Sequence, residues 1–211
     1  MHIAIIGSGN MGSAFARRVS AAGHDVTIAS KNVEHAKEAA RAIGAPVQAM
    51  PLNQVADAAE IIIAATPYDQ QVEALRSAGA LAGGTIIDIS NPLKRDMSGL
   101  AIGLTTSAAE EIAKAFSGAK IVKAFNTIFA QVLNEGADFG AGRRAAVFYA
   151  GDDERAKQSV RTLLESMGFE ATDAGPLHNA RYLEPMGMLN IWFGYMAKRG
   201  TAIAPTWISR A

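Results

Sequence analysis

The first twelve residues constrain the fold more than any other stretch. An apolar run, Ile3-Ala4-Ile5-Ile6, leads straight into Gly7-Ser8-Gly9-Asn10-Met11-Gly12, and a helix-compatible segment follows. The GxGxxG spacing is weak evidence by itself. At the end of a strand and the opening of a helix it stands in the context the spacing requires. Gly7 permits a tight turn, Gly9 lets main chain approach a pyrophosphate, and Gly12 lets the helix pack closely on the strand. With Ser8, Asn10 and Met11 these glycines form the expected phosphate cradle, because free N–H groups and the positive end of the helix dipole face that spot. The bland alternative is an ordinary glycine-rich turn.

A second pattern recurs along the chain. A helix-like segment ends near a glycine, and a β-branched apolar run follows: Gly23 before Val26-Thr27-Ile28, Gly44 before Val47, Gly83-Gly84 before Thr85-Ile86-Ile87, Gly118 before Ile121-Val122, Gly168 before Phe169. Glycine just past a helix takes the left-handed conformation without a Cβ penalty. Runs such as Ile61-Ile62-Ile63-Ala64 are apolar at every position, as strands covered on both faces are. The alternation predicts a doubly wound α/β fold with right-handed crossovers and a mostly parallel sheet. Strands are expected near 2–6, 25–29, 46–49, 60–64, 84–88, 120–124, 145–150 and 169–173. Helices fit 10–22, 33–43, 68–80, 107–117, 153–167 and 178–198. Residues 1–150 would form the nucleotide-binding domain, and 151–211 an extension and cap on the same core. Ser107-Ala108-Ala109-Glu110 reads as a capping box, Asp152-Asp153 as a helix cap rather than a metal pair, and 93–106 as a long loop.

Composition removes several classes of function. The chain has 211 residues, of which 49% are hydrophobic and 19% charged, so it can build a folded core. Twenty basic residues balance twenty acidic ones, which leaves no field for nucleic acid. The absence of cysteine excludes disulfides, thiol nucleophiles and thiolate metal sites. The N-terminus carries no basic leader, and the uncharged stretch Met186–Ala197 is too short to span a bilayer, so a cytoplasmic protein with no membrane partner is expected. The four histidines lack metal-ligand spacing, and none of the described motifs calls for a metal.

The end of the second strand carries Ala29-Ser30-Lys31-Asn32, where an NAD-binding fold usually places Asp or Glu for the ribose 2′-hydroxyl. With no carboxylate there, the Ser30 hydroxyl and the Lys31 charge favour a 2′-phosphate, hence NADP over NAD. Alternatively this is a solvated turn. Three further strand ends, Ala65-Thr66-Pro67-Tyr68, Ser90-Asn91-Pro92 and Ala124-Phe125-Asn126-Thr127, would line the cleft where a nicotinamide meets its redox partner. Pro67 and Pro92 could present carbonyls at fixed angles, since proline locks φ. Asn126 or Tyr68 could assist by hydrogen bonding to a carbonyl, and no side chain is assigned as an obligate acid or base. Arg181 and Glu184, three apart on one helix, read as a surface ion pair. The stripe from Tyr182 through Met186, Leu189, Trp192, Phe193 and Met196 reads as core or, more sharply, as a subunit interface.

These residues resemble the coenzyme F420-dependent NADP oxidoreductases. The resemblance runs through Ile5–Gly12, Ala65–Tyr68, Asn91-Pro92-Leu93 and Lys123–Thr127, and ends in Gly151-Asp152-Asp153, Asp173–Leu177 and Ala180–Glu184. It implies a Rossmann-type domain with a short C-terminal helical cap, working as a homodimeric enzyme that moves a hydride between NADP(H) and a deazaflavin or flavin-type co-substrate. It assigns the NADP site to Gly7–Gly12, Ser30, Lys31 and Ala65–Tyr68, and the ring-stacking cleft to Asn91-Pro92 and Phe125-Asn126-Thr127. This chain departs from the family pattern at Lys31, where arginine is common, and at Asn126, where archaeal members carry histidine. Reduction of a small imine, a carbonyl compound or a ferric chelate, and a non-enzymatic NADPH sensor, stay open beside that reading.

Overall fold

Every residue of Ile61–Ala64 and of Thr85–Asp88 is buried, which requires cover on both faces of the sheet. A computed structural model supplies that cover; it describes all residues except Ala45, Asp57, Ala58, Ala80, Ser209 and Ala211. Eight strands form one sheet: β1 (His2–Ile6), β2 (Asp25–Ser30), β3 (Val47–Pro51), β4 (Ile61–Ala64), β5 (Thr85–Asp88), β6 (Lys120–Lys123), β7 (Ala146–Gly151) and β8 (Glu170–Asp173). Their order is β3-β2-β1-β4-β5-β6-β7-β8, and strands β1 to β6 are parallel. Around them lie α1 (Asn10–Ala21), α2 (Val33–Ile43), α3 (Tyr68–Ser77), α4 (Ala108–Ala115), α5 (Ala130–Glu135), α6 (Glu154–Ser166) and α7 (Ala180–Ile191). The doubly wound α/β architecture expected from the sequence is the one observed.

The alternation of β1 divides the core. Ile3 and Ile5 face a cluster with Phe15, Val19 and Phe125, whereas Ala4 and Ile6 face another with Leu75 and Ile112. Strand order reverses between β1 and β4, and there α1 is drawn onto β1. A Cβ on Gly12 would collide with the Gly7 carbonyl, and one on Gly7, at φ +117°, with the Ala65 carbonyl. The turn closes through Gly7 N–H to Ala29 O (2.7 Å) and Ala65 N–H to Ile6 O (2.8 Å).

Several expectations need correction. β7 is antiparallel to β6, joined by the Val122–Gly151 and Lys123–Ala150 pairs. The short α5 carries no strong period and was not expected. The helix expected over 178–198 is α7 followed by a π-helical turn, Trp192–Met196, and a 3-10 turn, Leu177–Asn179, precedes it. Gly118 does not adopt a left-handed conformation; a Cβ there would press on Ala82. α3 ends at Ser77, and the last residue of the helix expected over 68–80, Ala80, lies outside the described residues. Among the caps, Asp153 accepts from Ala156 N–H (2.8 Å), while Asp152 accepts from Leu177 N–H (2.8 Å). Ser107 caps α4 through Glu110 N–H, but the Glu110 carboxylate takes the Ser107 hydroxyl rather than the Ser107 amide.

The stripe on α7 and its extension is core only in part, with Met186 and Phe193 half-buried. Tyr182, Leu189, Trp192, Tyr195 and Met196 are all exposed, and Leu183 turns inward. Arg181 and Glu184 do not pair with each other. Arg181 grips Glu110 on α4 (2.6 Å), and Glu184 is fully buried. One Glu184 oxygen accepts from Lys123 Nζ (2.8 Å), and the other from Ala108 N–H (3.0 Å) at the start of α4. Lys123, at the end of β6 and also fully buried, donates to Asp88 at the end of β5 (2.7 Å) and to the Ser90 carbonyl (2.6 Å). Asp88 in turn accepts from Gln71 and from Ser90 N–H, both at 2.9 Å. This cluster ties β5, β6, α4 and α7 together directly beneath the β5 and β6 strand ends. Burial alone would lower the Lys123 ammonium, but the Asp88 and Glu184 carboxylates outweigh it and hold the group above the ordinary lysine value of 10.5. Burial pushes the Glu184 carboxyl up, against the pull of Lys123 and the Ala108 amide.

Gly12→Ala is expected to cost about 1–3 kcal/mol in urea unfolding, because overpacking against main chain has no side chain to yield. Lys123→Met is expected to cost about 3–5 kcal/mol, since it leaves two carboxylates buried without their cation. Because the folded Lys123 value is raised, its contribution is intact below pH 10.5 and is lost as pH climbs through the folded value. The stability difference between wild type and Lys123→Met, followed by urea unfolding with circular dichroism in the alkaline range, should therefore shrink as pH climbs above 10.5.

Candidate functional site

Two cavities open at the carboxyl ends of the strands, on either side of the glycine turn. The larger, of about 800 Å³, is lined by Gly7 and Ser8, by Ser30 and Lys31 after β2, and by one face of α3. The second, of about 480 Å³, is lined by Gly9, Asn10 and Met11, and by Ala65, Thr66, Pro67 and Tyr68 after β4. Asn91, Phe125 and Asn126 and the inner face of α7 complete it. Thr66 borders both cavities. Open sheets of this kind bind ligands at the crevice where strand order reverses, and both cavities meet there.

At the turn itself, nothing lies within 4 Å of where a Gly9 Cβ would stand. The space is open to a ligand, and the first N–H groups of α1 have no helical partners of their own. Met11 is half-buried and Asn10 exposed on this first turn. Gly12 lines neither cavity; its place is in the packing of α1 on β1. Pro92 is buried and lines neither cavity. The two prolines do not offer free carbonyls, contrary to expectation. Pro92 O accepts from Ala101 N–H (2.7 Å) across the following loop, and Pro67 O from Gln70 N–H (3.0 Å) in the first turn of α3, so each carbonyl already holds a main-chain partner.

The larger cavity holds the residues expected after β2. The Ser30 hydroxyl donates to Asn32 O (2.5 Å), and Lys31 Nζ lies 3.2 Å from a carboxylate oxygen of Glu73 on α3. Motif reading missed Glu73, and also His35, Gln70 and Ser77, which line the same cavity. The one sequence signal for the α3 residues is the helical spacing of Gln70, Glu73, Ala74 and Ser77, which puts them on one face, whereas His35 lies on α2 and carries none.

The second cavity has an unusual floor. Phe125 sits at φ +60°, a conformation that bulky residues avoid, and its ring is held edge-on between Phe15 (4.9 Å) and Phe169 (5.8 Å). Just after it, Asn126 and Asn91 clasp each other. Asn91 Nδ2 donates to Asn126 O (2.7 Å), and Asn126 Nδ2 donates to Asn91 Oδ1 (3.0 Å) and to Leu183 O on α7 (2.7 Å). Gly187 lets α7 lie flush on this pair, since a Cβ there would stand 2.7 Å from Asn126 Nδ2. Asn190, further along α7, donates to Thr127 O (3.0 Å). The wall supplied by α7 was not legible beforehand, although a glycine inside a helical run is a packing signal.

Three buried polar atoms of residues around this cavity have no partner: Thr66 Oγ1, Ser90 Oγ and Asn126 Oδ1. Such atoms cost free energy unless a ligand satisfies them. Tyr68 opens α3 beside them. Burial, then the charges of Glu111, Glu184 and Asp88, push its hydroxyl above the ordinary value of 10.0, so it remains a proton-bearing donor at neutral pH. Among the described residues there is no cluster of three or more metal-ligating side chains, and no helix is long and apolar enough to cross a membrane.

A family profile described as "NADP oxidoreductase coenzyme F420-dependent" matches residues 2–92. The F420-dependent NADP reductase of Methanothermobacter marburgensis is 30% identical over 207 residues, covering 90% of this chain and 91% of that one. The crystal structure of a candidate F420-dependent NADP reductase from Arthrobacter sp. FB24 superposes with a TM-score of 0.84 at 32% identity, over 99% of both chains. The rat metalloreductase STEAP3 is 30% identical over 90% of this chain, which spans 37% of that longer protein. With a relative 30% identical and matched over nine-tenths of both chains, the chain belongs to the F420-dependent NADP reductase family of NADP-dependent oxidoreductases.

Proposed function

We propose that the chain transfers a hydride between NADP(H), laid across the Gly7–Gly12 turn, and a flat deazaflavin or flavin-type co-substrate in the second cavity. The observation that carries this reading is the pair of cavities meeting over one glycine turn. An extended dinucleotide needs a chamber for each ring system and a bare main-chain saddle between them for its phosphates. The open space over Gly9 fits that bridge, and the volumes suit ring-sized ligands.

When bound, NADPH supplies the hydride, and the protein's share is positioning and electrostatics. The amides of the first turn of α1, with Ser8 beside them, would hold the phosphate bridge. Ser30 and Lys31 would hold the 2′-phosphate. Thr66, Ser90 and Asn126 each offer a buried, unpartnered oxygen for the polar edge of a ring. Tyr68, held protonated, would donate to a carbonyl and take no part as a base. Phe129 and Tyr195, whose rings meet edge to face, contribute aromatic walls to the cleft. The exposed hydrophobic stripe of Tyr182, Leu189, Trp192 and Met196 supports a homodimer.

The likeness to a metalloreductase supports a second reading, in which a ferric chelate takes the electrons. A spectral assay of NADPH oxidation against F420, FMN, FAD and ferric citrate separates the two. Turnover with the deazaflavin is expected to lead; turnover confined to ferric citrate would favour the second reading. Calorimetric titration should show tighter binding of NADPH than of NADH, and equal affinities would remove the role given to Ser30 and Lys31. Lys31→Ala should weaken NADPH by about ten- to a hundredfold, the scale of a charge-assisted hydrogen bond, and leave NADH nearly unchanged. Tyr68→Phe should lower turnover without changing NADPH affinity; unchanged turnover would exclude Tyr68 from the chemistry.

A further inference from the structure

The turn after β2 has no carboxylate, yet the cavity it opens on does contain one. Among the described residues that line this cavity, Glu73 is the only carboxylate and Lys31 the only ammonium. They come from different walls, Glu73 from the middle of α3 and Lys31 from beyond β2, and they meet at 3.2 Å across the opening. Gln70, Ala74 and Ser77 flank Glu73 on the same helix face, so the carboxylate belongs to the cavity wall and not to the far side of α3.

We propose that Glu73 is a specificity-determining residue that moderates the preference for the 2′-phosphorylated coenzyme. This rests on the assignment of the larger cavity to the adenosine half. Two effects act in one direction. A 2′-phosphate that engages Lys31 must displace Glu73 from it, and it then lies beside a like charge. A coenzyme with a free 2′-hydroxyl meets neither cost, and its hydroxyl can donate to the Glu73 carboxylate, as it does to the Asp or Glu usually found after β2. The carboxylate absent from the local sequence is thus restored in space by another element, opposite a lysine that acts against it. Discrimination is then the difference between two opposed charges.

The size of the effect follows from exposure. The Lys31 side chain is 89% exposed and that of Glu73 75%, so water and salt screen the pair and its influence is modest.

The test is calorimetric titration of wild type, Glu73→Gln, Glu73→Ala and Lys31→Ala with NADPH and NADH, at low and at 0.5 M (about a 4 Å screening length) salt. Both Glu73 variants are expected to tighten NADPH by about two- to fivefold at low salt. They should leave NADH unchanged or slightly weaker, and the gain should fade at high salt. Because the side chain is exposed, neither variant threatens the fold. If both variants leave the NADPH-to-NADH ratio unaltered while Lys31→Ala still collapses it, Glu73 has no such role and the coenzyme assignment stands. If Lys31→Ala changes neither coenzyme, the assignment of the cavity fails, and the role of Glu73 falls with it.

Discussion

The structure depends on one main-chain contact. Where β1 turns into α1, Gly12 rests on the carbonyl of Gly7 at a distance that leaves no room for a Cβ. That contact brings the N-terminus of α1 to the crevice between β1 and β4, where strand order reverses. The free amides of the helix, the saddle at Gly9 and the two flanking cavities all take their positions from it. A side chain at Gly12 would push the helix away from the strand, one at Gly7 would collide with the main chain at Ala65, and either would disturb the donors of the crevice.

A second constraint organises the other half of the cleft. Lys123, Asp88 and Glu184 form a cluster without solvent contact, and every donor and acceptor it presents is matched by a neighbour or by main chain. Such a cluster is weak evidence for stability, because desolvation offsets much of the attraction. Its geometry is more informative. It joins the ends of β5 and β6 to α7, and so sets where Asn91 and Asn126 stand relative to the helix that walls their cavity. The strained backbone of Phe125 is tolerated at this point because two aromatic rings hold its side chain in place.

The fold was legible because its signals are local and periodic. The glycine turn after β1, the wholly apolar β4 and the recurring helix-to-strand glycines all state their structure within a few residues. The glycine saddle and the strand ends that line the cleft were found for the same reason. What escaped involves partners distant in sequence. Glu184 and Arg181 look like a surface pair at helical spacing, and only the approach of β6 and α4 separates them. Glu73 carries no motif, and only the approach of Lys31, just beyond β2, sets it apart on α3. The antiparallel β7 and the short α5 carry no distinctive period. The exposed stripe on α7 has the spacing of a core helix, but this chain packs only Leu183 and a few neighbours of it inward.

The central claim is that NADP lies over the glycine turn with its extra phosphate beside the end of β2. A crystal structure of the protein with NADP⁺ tests this most directly. The pyrophosphate is expected within hydrogen-bond reach of the first amides of α1, the 2′-phosphate against Ser30 and Lys31, and the nicotinamide facing Asn126. A coenzyme seated elsewhere, or a 2′-phosphate turned out to solvent away from Lys31, would contradict the account.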